Sequence, residues 1–238
     1  MSDLPPHLHP PVPRGAPAPE LDAAVIDRLF QAVAAETVDR APTWRERLSQ
    51  WPTPRRQALV VVAALAASGM WLSMMGHRDD LVGDAAARFA GLGAVLVATA
   101  LISGLAAVRG LDRRLPSTWV VAAALLVPAA LGATGLFPGM HTEHGATLDM
   151  HMMCGMVGTM FGALVAAPQL LVQRARPDGA RTALIAASAG ASAFVVQNLI
   201  CPLADVDHLV FAHGAGGPML LVLMLAGIGA VAAWSRRG

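Results

Sequence analysis

GLGAVLVATALISGLAAVRGLDRR, residues 91 to 114, runs without a charge until it meets three arginines, Arg109, Arg113 and Arg114. With the apolar residues just before it, the run can cross a hydrocarbon core of about 30 Å, which takes about twenty helical residues. The return of charge marks where the chain leaves that core. Gly and Ala recur through the run and would let neighbouring helices approach closely.

The same pattern repeats. The chain has 238 residues, 55% hydrophobic and 14% charged, with a mean hydropathy of +0.54, outside the balance of a soluble domain. From Gln57 onward six apolar stretches are each long enough to span, approximately 57 to 76, 86 to 108, 117 to 137, 150 to 173, 181 to 201 and 209 to 234. Arg55 and Arg56 precede the first; Arg109, Arg113 and Arg114 follow the second; Arg174, Arg176 and Arg181 separate the fourth and fifth; Arg236 and Arg237 follow the last. The alternate connections hold only Arg78 and Arg88, together with Asp79, Asp80, Asp84, Glu143, Asp149, Asp205 and Asp207. By the positive-inside bias both termini are cytoplasmic. No apolar signal region lies in the first fifty-odd residues, which agrees with an amino terminus kept inside. The expectation is an all-α polytopic membrane protein: a bundle of six transmembrane helices over 57–238, behind a short cytoplasmic segment, 1–56.

That segment has two parts. Residues 2 to 19, SDLPPHLHPPVPRGAPAP, are too rich in Pro to build a core. Next, Leu21, Val25, Leu29 and Val33 recur every fourth residue, the stripe of an amphipathic helix. Such a helix must lie on the membrane, pack on the rest of the chain or bind a partner.

The chemically capable side chains fall on the other side. Gly139–Met156, GMHTEHGATLDMHMMCGM, holds three histidines, five methionines, two carboxylates and one of two cysteines. His77, Cys201, His208 and His213 sit at the same ends of their spans, so six of the eight histidines and both cysteines gather there. Gln197 and Asn198 precede Cys201 by one turn and must turn inward, away from lipid. Cys154 and Cys201 lie at similar depth, where a disulfide is feasible if their Cα atoms come within about 7 Å. Thiolate, thioether and imidazole together suit Cu(I) or Zn(II) as a signal, with His141, His144, His151, Met152, Met156, His208 and His213 as candidate ligands. The plainer alternatives are a methionine stripe that only fills packing gaps, solvated histidines and apolar cysteines.

Other chemistries lack their residues. There is no GxSxG, HExxH or Walker loop, and no acidic residue within a span, so neither an enzyme nor a proton-coupled transporter is expected, and no resident cofactor. A net charge of +1 gives no case for direct nucleic-acid binding.

RTALIAASAGASAFVVQNLICPLADVDHLVFAHG, residues 181 to 214, has a small-residue span closing on Cys-Pro, then an acid and a His before the last span. It resembles the carboxy-terminal signature of the six-span NrsF-type anti-sigma factors of the bacterial inner membrane, and the layout is similar to that of CarR-like relatives. The resemblance implies a cytoplasmic segment that holds an extracytoplasmic-function (ECF) sigma factor, here through Leu21, Val25, Leu29 and Val33. It also implies two signal-sensing cysteines near the periplasmic face, at the positions of Cys154 and Cys201. Departures are the Met- and His-rich surroundings of Cys154 and the Pro-rich lead. The rivals are a copper- or metal-handling membrane protein that uses the Met, His and Cys cluster, and a structural assembly subunit.

Overall fold

The computed structural model describes residues 22, 24–28, 31, 43–109, 116–141, 147–173 and 178–234, and divides the chain into two units, Met1–Thr43 and Trp44–Gly238. In the first unit residues 24–28 are helical, and Asp22 caps them, its Oδ1 accepting from the Ala24 amide at 3.0 Å. Val25 and Ile26 are exposed. Leu21, Leu29 and Val33, the rest of the apolar stripe, lie outside the described residues.

The second unit is helical: α1 (Trp44–Gln50), α2 (Thr53–Met75), α3 (Gly83–Ala107), α4 (Thr118–Ala133), α5 (Leu148–Leu171), α6 (Gly179–Ile200), α7 (Val206–His208), a π-helical turn π1 (Leu209–Gly214) and α8 (Gly216–Trp234). α1 packs on α5 and so belongs to this second unit. Among the described residues there is no strand, only an isolated parallel bridge between Met140 and Leu203.

Among the described residues, five helical stretches are long and apolar enough to cross a membrane: α2, α3, α5, α6 and the run Val206–Gly227. The third of the six expected spans differs. α4 has 16 residues, which reach about 24 Å, short of a 30 Å core. Its apolar sequence continues to Phe137, but the helix stops at Ala133 and Gly135 turns the chain at φ 64, a conformation that suits glycine. Hydropathy counted the turn as span.

α6 is the central helix. In its apolar window 78% of residues are buried, against 11% in α2, and α3, α4, α5 and α8 all pack on it. Its run of Ala, Gly and Ser makes this possible. A Cβ added to Gly190 would lie 2.5 Å from Gly217 Cα, so α6 and α8 meet backbone to backbone.

The two ends of the bundle differ in chemistry. At one, buried Arg56 donates to Val172 O at 3.1 Å, and Arg181 to Ala107 O and Arg109 O at 3.2 and 2.9 Å. Gln173 also donates to Ala107 O, at 3.1 Å. These side chains satisfy carbonyls that the last turns of α3 and α5 leave open, and two are cations at the negative end of a helix dipole. The opposite end carries the cysteines and buried histidines.

Candidate functional site

Cys154 lies in the second turn of α5, which Thr147 caps by accepting from the Met150 amide. Cys201 is the first residue beyond α6. Pro202 cannot continue a helix and disfavours a helical residue before it, so Cys201 is extended at φ −94, ψ 120.

The chain after Cys201 is tied down by backbone and by one arginine. Met140 N donates to Pro202 O and Ala204 N to Met140 O, both at 2.8 Å. A Cβ on Gly139 would lie 2.9 Å from Ala204 Cβ and overlap Pro202 O, so only glycine allows this approach. Buried Arg78 donates to Pro138 O at 3.1 Å and Cys201 O at 3.2 Å, and grips Asp80 through Nε and Nη2. That guanidinium, hydrogen-bonded to Asp80, holds its carboxyl below the usual carboxylate range.

His208 and His213 are five residues apart, which on a regular α-helix separates them by about 140°. Between them the chain is wound as the π turn Leu209–Gly214, whose wider i→i+5 hydrogen-bonded winding narrows that angle and turns the two rings toward each other. The turn lies close against α4: a Cβ on Gly214 would come within 2.7 Å of Ala129 Cα, and one on Gly132 within 3.2 Å of the Leu209 backbone. Their rings meet edge to face with centroids 4.8 Å apart, both fully buried.

These elements bring four donors together. Cys154 Sγ is 3.7 Å from Cys201 Sγ, and Cys201 Sγ is 3.5 Å from His208 Nε2. One ligand atom from each of Cys154, Cys201, His208 and His213 lies within 4.8 Å of all the others. Asn198 Nδ2 donates to His213 Nδ1 at 3.1 Å and to Phe194 O at 2.9 Å, while Gln197 Nε2 donates to Cys154 O. Gly158 leaves the room that the Gln197 amide fills. Buried among these groups, His208 Nδ1 and His213 Nε2 have no hydrogen-bond partner. The thiols need to approach by about 1.7 Å to reach an S–S bond of about 2.05 Å. The same four donors make a thiolate–imidazole set for a metal.

The other candidate ligands stand apart. His151 shares the Cys154 face of α5, and its ring centroid is 5.0 Å from that of His208. Its Nδ1 is 2.8 Å from Thr147 O and its Nε2 3.6 Å from Asp207, so it sits at the rim with both nitrogens engaged. His141 is exposed and lies 3.5 Å from Asp205. Met152 and Met156 are two positions from Cys154 and so project from another face of α5. They line a groove of about 420 Å³ with Met160, Phe211, Met219 and an edge of His151. His144 lies outside the described residues. Sequence reading missed Arg78, Gly139 and Gly158. The available signal was Arg78 itself, an arginine in a connection where the charge bias places few.

Comparison of the chain with family models, with characterised proteins and with solved structures finds no match.

Proposed function

We propose that the chain is a non-enzymatic regulator, a bacterial inner-membrane anti-sigma factor with six spans and both termini cytoplasmic. Its segment 1–56 sequesters an ECF sigma factor and releases it when the cysteine end of the bundle meets an oxidant or a metal. The observation that carries this reading is the thiol pair 3.7 Å apart, contributed by α5 and by the end of α6. The connection between those helices is at the other end, so a bond or ligand at the thiols alters how the two helices lie against each other. Rigid helices carry such a shift to the arginine end. In this reading α4, too short to cross alone, completes the sixth span with the turn after it.

The energies are large enough for a metal and smaller than the full shift for a disulfide. Moving a two-state protein from 1:99 to 99:1 takes about 5.5 kcal/mol of differential binding. A structural metal site supplies about 10–16 kcal/mol and a disulfide about 2–4 kcal/mol, so the metal covers the whole shift and the disulfide much of it.

The test is co-purification. The full chain, co-expressed with the ECF sigma factors of its own genome, should retain one of them in detergent, and Val25→Asp, which puts a carboxylate in the apolar stripe, should abolish retention. A chain that retains none, or a Val25→Asp variant that retains it fully, would sink the assignment. One observation favours the second reading, a metal-handling protein: four methionines, Met152, Met156, Met160 and Met219, line one groove beside His151. Thioethers select Cu(I), so copper retained by the groove without any sigma factor would favour that alternative.

A further inference from the structure

We infer that Cys154, Cys201, His208 and His213 form a closed, four-ligand site for one divalent d10 cation, Zn2+ or its congener Cd2+, which fastens the outer ends of α5, α6 and π1. The inference names the ligand of the site on which the regulatory reading rests.

Distance is the first argument. Zn–S bonds of about 2.3 Å and Zn–N bonds of about 2.0–2.1 Å in a tetrahedron give an S–S edge of about 3.8 Å and S–N edges of about 3.6 Å. The two edges resolved as contacts are 3.7 Å for Cys154 Sγ to Cys201 Sγ and 3.5 Å for Cys201 Sγ to His208 Nε2. Two such contacts could arise by packing. Four donors within 4.8 Å, from α5, the end of α6 and the continuous turn α7–π1, match the ligand count of a structural zinc site.

Orphaned polarity is the second. His213 is fully buried; its Nδ1 is held by Asn198, and its Nε2 has no protein partner. An unmatched buried nitrogen is costly, and a metal supplies the missing partner. Ligation through Nε2 puts the ring proton on Nδ1, so in the loaded site the Asn198 amide turns to present Oδ1 as the acceptor that orients the imidazole.

Charge decides the metal class. Two thiolates and two neutral imidazoles carry −2, so a divalent cation leaves the site neutral, whereas Cu+ leaves a net negative charge among buried groups. Such a charge is costly where no cation pairs with it. Mg2+ and Ca2+ are excluded because they take oxygen ligands. Loading the site displaces the thiol protons to solvent, so binding strengthens as pH rises through the thiol range.

Full-length protein, purified in detergent, reduced and stripped with a chelator, is titrated with Co2+ as the optical probe. One equivalent should bind, with the sulfur-to-cobalt charge-transfer band and the strong visible bands of a tetrahedral thiolate site, and Zn2+ should bleach both. Cys154→Ser and His213→Ala should lose the spectrum; Asn198→Ala should bind roughly 10–100-fold more weakly, and His141→Ala as wild type. Because a cysteine or histidine variant can fail to fold, diamide oxidation of the wild type gives the same test without mutation. The oxidised protein should bind no Co2+ and recover on reduction. A weak octahedral spectrum, binding that survives oxidation, or Cu+ filling the site while Zn2+ cannot displace Co2+ would each overturn the assignment. A chain that gives the cobalt spectrum yet retains no sigma factor fails only the regulatory reading; one that retains the sigma factor without the spectrum fails only this one.

Discussion

Cys154 Sγ and Cys201 Sγ lie 3.7 Å apart, although the chain between them leaves along α5 to the arginine end and returns along α6. Their distance therefore reports how the two helices pack. It responds to any force that slides or tilts one against the other.

Mild oxidation is the direct consequence. Diamide takes two electrons and two protons from the pair as the S–S bond forms, an approach of about 1.7 Å that side-chain rotation and small backbone shifts supply. Membranes treated with diamide should lose both reactive thiols from this chain, as read by maleimide mass tagging. Cys154→Ser and Cys201→Ser should each keep the remaining thiol. Persistent labelling of both in the wild type would mean that the two helices hold the sulfurs apart.

Two residues that act as one unit do not add. Cys154→Ser and Cys201→Ser should alter sigma-dependent reporter output under oxidant, Zn2+ or Cu2+ by equal amounts, and the double variant should be no worse than either. Unchanged induction in the double variant would leave the thiols with a packing role alone.

The contact between α6 and α8 tests the centre of the bundle. In Gly190→Ala the added methyl meets Gly217 Cα at 2.5 Å, backbone against backbone, with no flexible side chain to yield. The helices must separate, at a cost of about 1–3 kcal/mol, seen as a lower unfolding midpoint in detergent. Gly91→Ala, where nothing lies within 4 Å, is the control and should not lower it.

Arg78 and Asp80 give the pH dependence its sign. Asp80 has its carboxyl pKa lowered by Arg78, so the ion pair contributes stability above the unfolded value of 3.8 and loses it as pH falls through the lower folded value. The difference in unfolding midpoint between wild type and Asp80→Asn should thus be present at neutral pH and vanish in acid. Arg78→Met, which also releases Cys201 O and Pro138 O, should slow disulfide formation at neutral pH. A difference that persists undiminished in acid would show that Asp80 acts other than as a carboxylate.

Much of the architecture was legible in the sequence because transfer from water to lipid depends on local composition. The apolar runs delimited the helices to within a few residues, except where the run outlasted α4 and Gly135 turned the chain. Gln197 and Asn198 were expected to face inward, and both are buried, since lipid offers their amides no partner. The gathering of Cys154, Cys201, His208 and His213 at one end followed from counting spans.

Which of those side chains meet was decided by tertiary structure. Met152 and Met156 belong to the same rich stretch as Cys154 yet line a groove on another face, because the helical period separates neighbours that composition lumps together. The rings of His208 and His213 are brought together by the π turn, held where Gly132 and Gly214 let the backbones of α4 and π1 come close. Cys201 is set by Arg78, more than a hundred residues away, and by the bridge from Met140. Hydropathy and helical period describe one segment at a time. The register of one helix against another depends on contacts between distant small residues and on buried polar groups that must find partners, and those exist only once the bundle has assembled.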